Sequence, residues 1–129
     1  MKQATQNLLD KADRSLQTAK FLLQSKDMEF VASRAYYAMF YAAEALLNEK
    51  GMNFRKHSGV HSSFGKNFVK NGELDQKYHQ WLLEAFNERI VSDYALEAQV
   101  SQESAKEIVS RAEAFLRMAK EYLARESSS

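Results

Sequence analysis

Apolar residues recur at helical spacing along most of the chain. Leu8, Leu9, Ala12, Leu16, Ala19, Leu22 and Leu23 share one face of a 3.6-residue period, with Lys, Asp and Arg between them. This predicts an amphipathic helix over residues 5–25. Ser25-Lys26-Asp27 breaks the pattern, and Asp27 is placed to cap the next helix. The stretch that follows, FVASRAYYAMFYAAEALL (30–47), is different: only Ser33, Arg34 and Glu44 are plainly polar. A helix apolar on nearly every side belongs at the centre of a bundle. Ala35, Ala38, Ala42 and Ala45 form a small-residue stripe on it that lets a neighbouring helix come close. Arg34, Tyr37, Tyr41 and Glu44 form a second stripe, apolar in body and polar at its tips. This helix runs to about Lys50, where Gly51 suits a left-handed C-terminal cap.

Residues 51–57 are expected to be a loop, with Ser58 capping a short helix over 58–70 that carries Val60, Phe64, Phe68 and Val69. Asn71-Gly72 is a turn signal. A fourth helix is expected over 73–91, with Leu74, Tyr78, Trp81, Leu82, Ala85 and Phe86 on its inner stripe. Residues 92–100 form a connection, and Ser101 opens a last helix to about Arg125. The pattern predicts an all-α, antiparallel bundle of four long helices and one short one. It is read as a single domain over 1–129, with its core at about 5–125 and a frayed tail at 126–129.

Composition sharpens this picture. There is no Pro, and all four Gly lie between residues 51 and 72, so long helices are uninterrupted on either side. Without Cys, neither a disulfide framework nor a thiolate metal site is available. The formal charge of +1 gives no global basic field. Residues 55–79 nonetheless hold five Lys or Arg, two acids and all three His, a mildly basic middle. The polar start MKQATQNLLDK lacks the apolar core of a signal peptide, and Arg34, Glu44 and the tyrosines argue against a membrane span at 30–47. The expected location is the cytoplasm.

Arg89 continues the apolar stripe of the fourth helix. A core-facing guanidinium needs a partner or a ligand, and its planar fork suits phosphate. One reading is a buried ion pair with Glu44 or another acid. The other is an anion site, with Asp93 and Tyr94 close by on the same helix end. In the bland version of the second stripe, the tyrosines pack the core and Arg34 pairs with a carboxylate of another helix. His57 and His61 are four apart, a spacing compatible with metal, but no third ligand lies near. Lys56 and His57, following Arg55, better suit a loop that meets phosphate. His79 is expected to face solvent. No glycine-rich nucleotide loop and no G-x-S-x-G sequence occurs, and no metal or cofactor is expected.

Asp27, SRAYYAMFYAAEALL (33–47), RKHSGV (55–60), FGKNFVKNGELD (64–75) and RIVSDY (89–94), in this order and spacing, resemble the HEPN superfamily (higher eukaryotes and prokaryotes nucleotide-binding), in particular its small stand-alone prokaryotic branch. The resemblance covers about residues 5–125. It implies a helical bundle that forms a homodimer, with a groove between subunits that cleaves RNA without metal in many members. It also implies a minimal nucleotidyltransferase partner in a toxin–antitoxin pair. The family motif is Arg, four to six residues, then His. Arg89 matches the Arg, but Tyr94 follows the four-residue gap and no His occurs after His79. Tyr94 is then expected to hydrogen-bond, to stack on a base, or to accept a nucleotidyl group. His57 replaces the missing base only if its loop folds over Arg89.

The expected function is nucleotide or RNA binding beside a nucleotidyltransferase partner. Arg89, Asp93 and Tyr94 form the expected cluster at a dimer interface near the end of the fourth helix, and Arg34, Tyr37, Lys56 and His57 are secondary candidates. One alternative is an endoribonuclease toxin with catalytic Arg89 and Tyr94; another is a non-catalytic interaction scaffold.

Overall fold

A computed structural model describes residues 1–94 and 100–128. It contains α1 (Gln3–Gln24), α2 (Met28–Glu49), the short α3 (His57–Phe64), α4 (Gln76–Tyr94) and α5 (Gln102–Ser128). The four long helices and the short one pack as a bundle. α2 is its axis, packed against α1, α3, α4 and α5. The composition of α2 explains this position. Ala35, Ala38, Ala42 and Ala45 are all fully buried, so neighbouring backbones close in on that stripe. Val31, Tyr36, Met39 and Leu46 fill the remaining directions with no exposed surface. From α1 come Leu9, Ala12, Leu16 and Ala19; from α5 come Ala112, Phe115, Ala119 and Leu123.

The helix ends follow local chemistry where a local signal exists. Gly51 has φ +81°, its N–H bonds to the Asn48 carbonyl, and the Met52 N–H reaches back to Leu47, each at 2.9 Å. This double bond satisfies the last carbonyls of α2, and the left-handed residue it needs is glycine. Ser101 Oγ accepts the Ser104 N–H at 3.0 Å and so caps α5. Asn71-Gly72 turns as expected, with Gly72 at φ +82°.

Several boundaries differ from expectation. Asp27 sits at the N-cap of α2 without a side-chain bond to the helix. α3 begins at His57, with Lys56 rather than Ser58 at its N-cap, because the Lys56 carbonyl already accepts the Gly59 and Val60 N–H groups. Its continuation, Gly65–Val69, widens into a π-helical turn closed by Lys70 N–H to Gly65 carbonyl at 2.8 Å. α4 starts at Gln76, three residues late, because Glu73 and Asp75 are engaged elsewhere. Asp75 Oδ1 accepts the Lys77 N–H at 2.8 Å. Glu73 binds Lys50 Nζ at 3.1 Å and accepts the Tyr122 hydroxyl, joining the end of α2 to α5. α4 extends through Tyr94, so Asp93 and Tyr94 lie on its last turn rather than in a connection; residues 95–99 of that connection lie outside the described residues. α5 continues to Ser128, where a frayed tail was expected. Among the described residues, no helix is long and apolar enough to cross a membrane.

Candidate functional site

α2, α3 and α4 meet at the phenol of Tyr36. Its ring is fully buried, and its hydroxyl lies 2.9 Å from His57 Nδ1 and 2.8 Å from His61 Nε2. The four-residue spacing of the two histidines puts both on one face of α3, converging on this hydroxyl. Phe40 stacks on the His57 ring at 4.3 Å between centroids, and Phe86 of α4 closes the cluster at 5.0 Å from His61. One turn beyond Phe86, the Arg89 guanidinium lies 5.3 Å from the Tyr37 ring centre and 6.0 Å from that of Tyr36. His57 approaches the same Tyr37 ring edge-on at 5.8 Å. Arg89 Nε also donates to Asp93 Oδ2 at 3.1 Å, a pair one turn apart on α4.

This geometry constrains the protons. Burial, then the neighbouring Tyr37, pushes the Tyr36 phenol above its usual range, so it stays neutral with one proton to donate. If the two imidazoles are neutral, only one of them can receive that proton, and the other donates its own N–H to the phenolic oxygen. When Tyr36 donates to His61, His57 holds its proton on Nδ1 and Nε2 carries a lone pair. Nε2 has no hydrogen-bond partner among the described residues, so this tautomer presents a base. Burial and then the Arg89 charge hold His57 below the ordinary imidazole range. Burial and the two other histidines push His61 down to about 4. His79 supports His61 from α4: its Nε2–H donates to the His61 carbonyl at 3.0 Å.

Residues 5–122 match the model of the HEPN domain. The chain belongs to the HEPN family. Its curated relatives are small prokaryotic proteins of similar length. Putative toxin MJ0142 of Methanocaldococcus jannaschii is 38% identical over 95% of this chain and 83% of its own. UPF0332 protein glr0978 of Gloeobacter violaceus is 36% identical over 92% and 95%. Putative toxin MJ0605, also of M. jannaschii, is 34% identical over 90% and 86%.

In this HEPN chain the expected site residues separate into three groups. Arg89, Tyr37 and His57 come together with Asp93 at the junction of α2, α3 and α4. Arg34 stands beside them, its guanidinium 5.0 Å from the Tyr37 ring centre, and makes no pair with a carboxylate among the described residues. Lys56 has an exposed side chain at the start of α3. Tyr94 is 77% exposed and makes no hydrogen bond or ring contact with the cluster. Nor does Arg89 form the buried ion pair considered for it: its partner is Asp93 rather than Glu44, and both side chains reach solvent. His79 is half-buried against Gly65 and the His61 carbonyl rather than facing solvent. Tyr36 and His61 were missed as members of the site. The signal for Tyr36 was the spacing Tyr36, Phe40, Ala43, Leu47 along α2, which by itself indicates only a core stripe.

Proposed function

We propose that the chain is the toxin-like member of a pair and acts on RNA at the Arg89–His57 junction as a metal-independent endoribonuclease. The observation that carries this reading is the position of His57. The family's histidine is missing after Arg89, yet an imidazole from α3 is held at the same face by Tyr36 and Phe40. RNA cleavage without metal needs a base for the 2′-hydroxyl and positive charge for the phosphorane. In the proposed reaction the 2′-oxygen forms a bond to phosphorus as the bond to the 5′-oxygen breaks. The 2′-proton passes to His57 Nε2, and the 5′-oxygen leaves with a proton from water. Arg89 binds the non-bridging oxygens, exchanging part of its contact with Asp93 for phosphate. The names of the relatives from M. jannaschii support the toxin reading. The test is cleavage of single-stranded RNA in EDTA by wild type and Arg89→Ala, with folding checked by circular dichroism. Loss of cleavage in folded Arg89→Ala is expected; equal cleavage by the variant overturns the proposal.

A second reading rests on Tyr94. An exposed phenol on the last turn of α4, outside the cluster, suits an acceptor for a nucleotidyl group from a nucleotidyltransferase partner. Incubation with such a partner and nucleoside triphosphate is then expected to join the Tyr94 oxygen to the α-phosphorus with release of pyrophosphate, giving a nucleotidyl adduct that Tyr94→Phe abolishes. A homodimer through α4 accords with the first reading; it would cover Tyr94 and so competes with the second. Leu83, Val91 and Tyr94 are exposed at helical spacing on one side of that helix.

A further inference from the structure

A cleft between α1 and α2 opens beside the Tyr37 ring. It has a volume of about 200 Å³ and is lined by Lys11, Arg14, Ser15, Thr18, Arg34 and Tyr41. Three cations line it and no acid does. None of Lys11, Arg14 or Arg34 forms an ion pair among the described residues, so their charges are free to meet a ligand. Two of the three lie by aromatic rings instead: Lys11 Nζ is 4.6 Å from the centre of Tyr41, and Arg34 is 5.0 Å from that of Tyr37. Tyr37 and Tyr41 are themselves stacked, 5.6 Å apart at 30°. Among the acids around it, Asp13 is paired with Lys120 and Asp10 accepts from Gln6, while Glu44 is half-buried one turn beyond Tyr41; burial raises its carboxyl and Lys11 pulls it back.

Unpaired cations interleaved with aromatic rings are how proteins track a single nucleic-acid strand: charge meets the phosphates, and ring faces meet the bases. The cleft also neighbours the site described above: Arg34 lines it, and Arg34 and Arg89 lie 5.0 and 5.3 Å from the centre of the same Tyr37 ring. We infer that this cleft is a second binding site for single-stranded RNA, which holds the phosphates and bases next to the nucleotide at Arg89. The inference rests on the RNA reading of the Arg89–His57 junction. Lys11 and Arg14 meet phosphate, Tyr41 stacks on a base, and Arg34 bridges the two sites. RNA too short to leave the Arg89 junction does not feel the cleft.

The test compares a fluorescein-labelled hexauridylate with the dinucleotide UpU on wild type, Lys11→Gln/Arg14→Gln and Arg89→Ala. A control of equal charge loss, Lys66→Gln/Lys70→Gln, alters exposed lysines away from the cleft. All four residues are exposed, so the double variants are expected to fold. In Lys11→Gln/Arg14→Gln, hexauridylate should bind about tenfold more weakly. The slope of log K against log salt should fall by about 0.7 for each lost phosphate contact. UpU should bind as to wild type, and the lysine control should match wild type on both. Unchanged hexauridylate binding in Lys11→Gln/Arg14→Gln, or an equal loss in the lysine control, overturns the cleft while leaving the Arg89 site standing. Wild type that binds neither RNA overturns both.

Discussion

Tyr36 supplies one hydroxyl to two imidazoles, so its removal should be felt twice. Tyr36→Phe keeps the ring packing but leaves His57 Nδ1 and His61 Nε2 without their shared partner. A buried group left unsatisfied costs about 1–3 kcal/mol, and the variant should lose about that much in urea denaturation. The histidines also give stability a defined pH dependence. Both titrate below the ordinary value of about 6.5 in the folded chain, His61 near 4. Above that ordinary value neither state protonates them, and their contribution is complete. As pH falls, the unfolded chain takes up the protons first. Each histidine then removes up to about 1.4 kcal/mol per pH unit until its folded form protonates. The fall should be steepest between the ordinary value and 4, and His61→Phe should flatten it. At this scale the sequence was readable as a pattern but not as a direction. Tyr36 and Tyr37 are neighbours about 100° apart on a helix, and periodicity does not say which phenol faces α3.

The helices themselves were legible because each long one carries its own apolar period, and because Gly51, Gly72 and Ser101 are local signals. The misplaced boundaries depend on distant partners. Glu73 is a good helix former, yet Lys50 and Tyr122 hold its carboxylate outside α4. The widened turn at Gly65 has a similar origin. A Cβ at Gly65 would lie 2.6 Å from His79 Cε1, so this glycine permits close packing of α3's extension against α4. Its φ is −60°, so no backbone strain is involved. Gly65→Ala should therefore cost about 1–3 kcal/mol through crowding. In a His79→Ala background the same change should cost little. A double-mutant cycle of melting temperatures measures the coupling, and additive costs would contradict this account.

At the scale of the molecule, the approach of α3 to Arg89 depends on packing between segments about 30 residues apart, and no local pattern encodes it. The helical stripe singled out Arg89 and the family resemblance matched it to a motif; only the fold puts His57 against the same Tyr37 ring. The expectation of a homodimer comes from the family resemblance, and Leu83, Val91 and Tyr94 give α4 three exposed apolar positions on one side. Val91 is 62% exposed, so Val91→Arg should leave the fold intact and, if α4 is the interface, yield monomer in light scattering. The RNA reading gives His57 the part of the base missing from the Arg89 motif. The measurement that tests it most directly is the RNA cleavage rate of His57→Ala in EDTA, with and without added imidazole. A loss of about 10²–10⁴-fold is expected, as for removal of a general base, with part of the rate restored by imidazole. A wild-type rate in His57→Ala would contradict it.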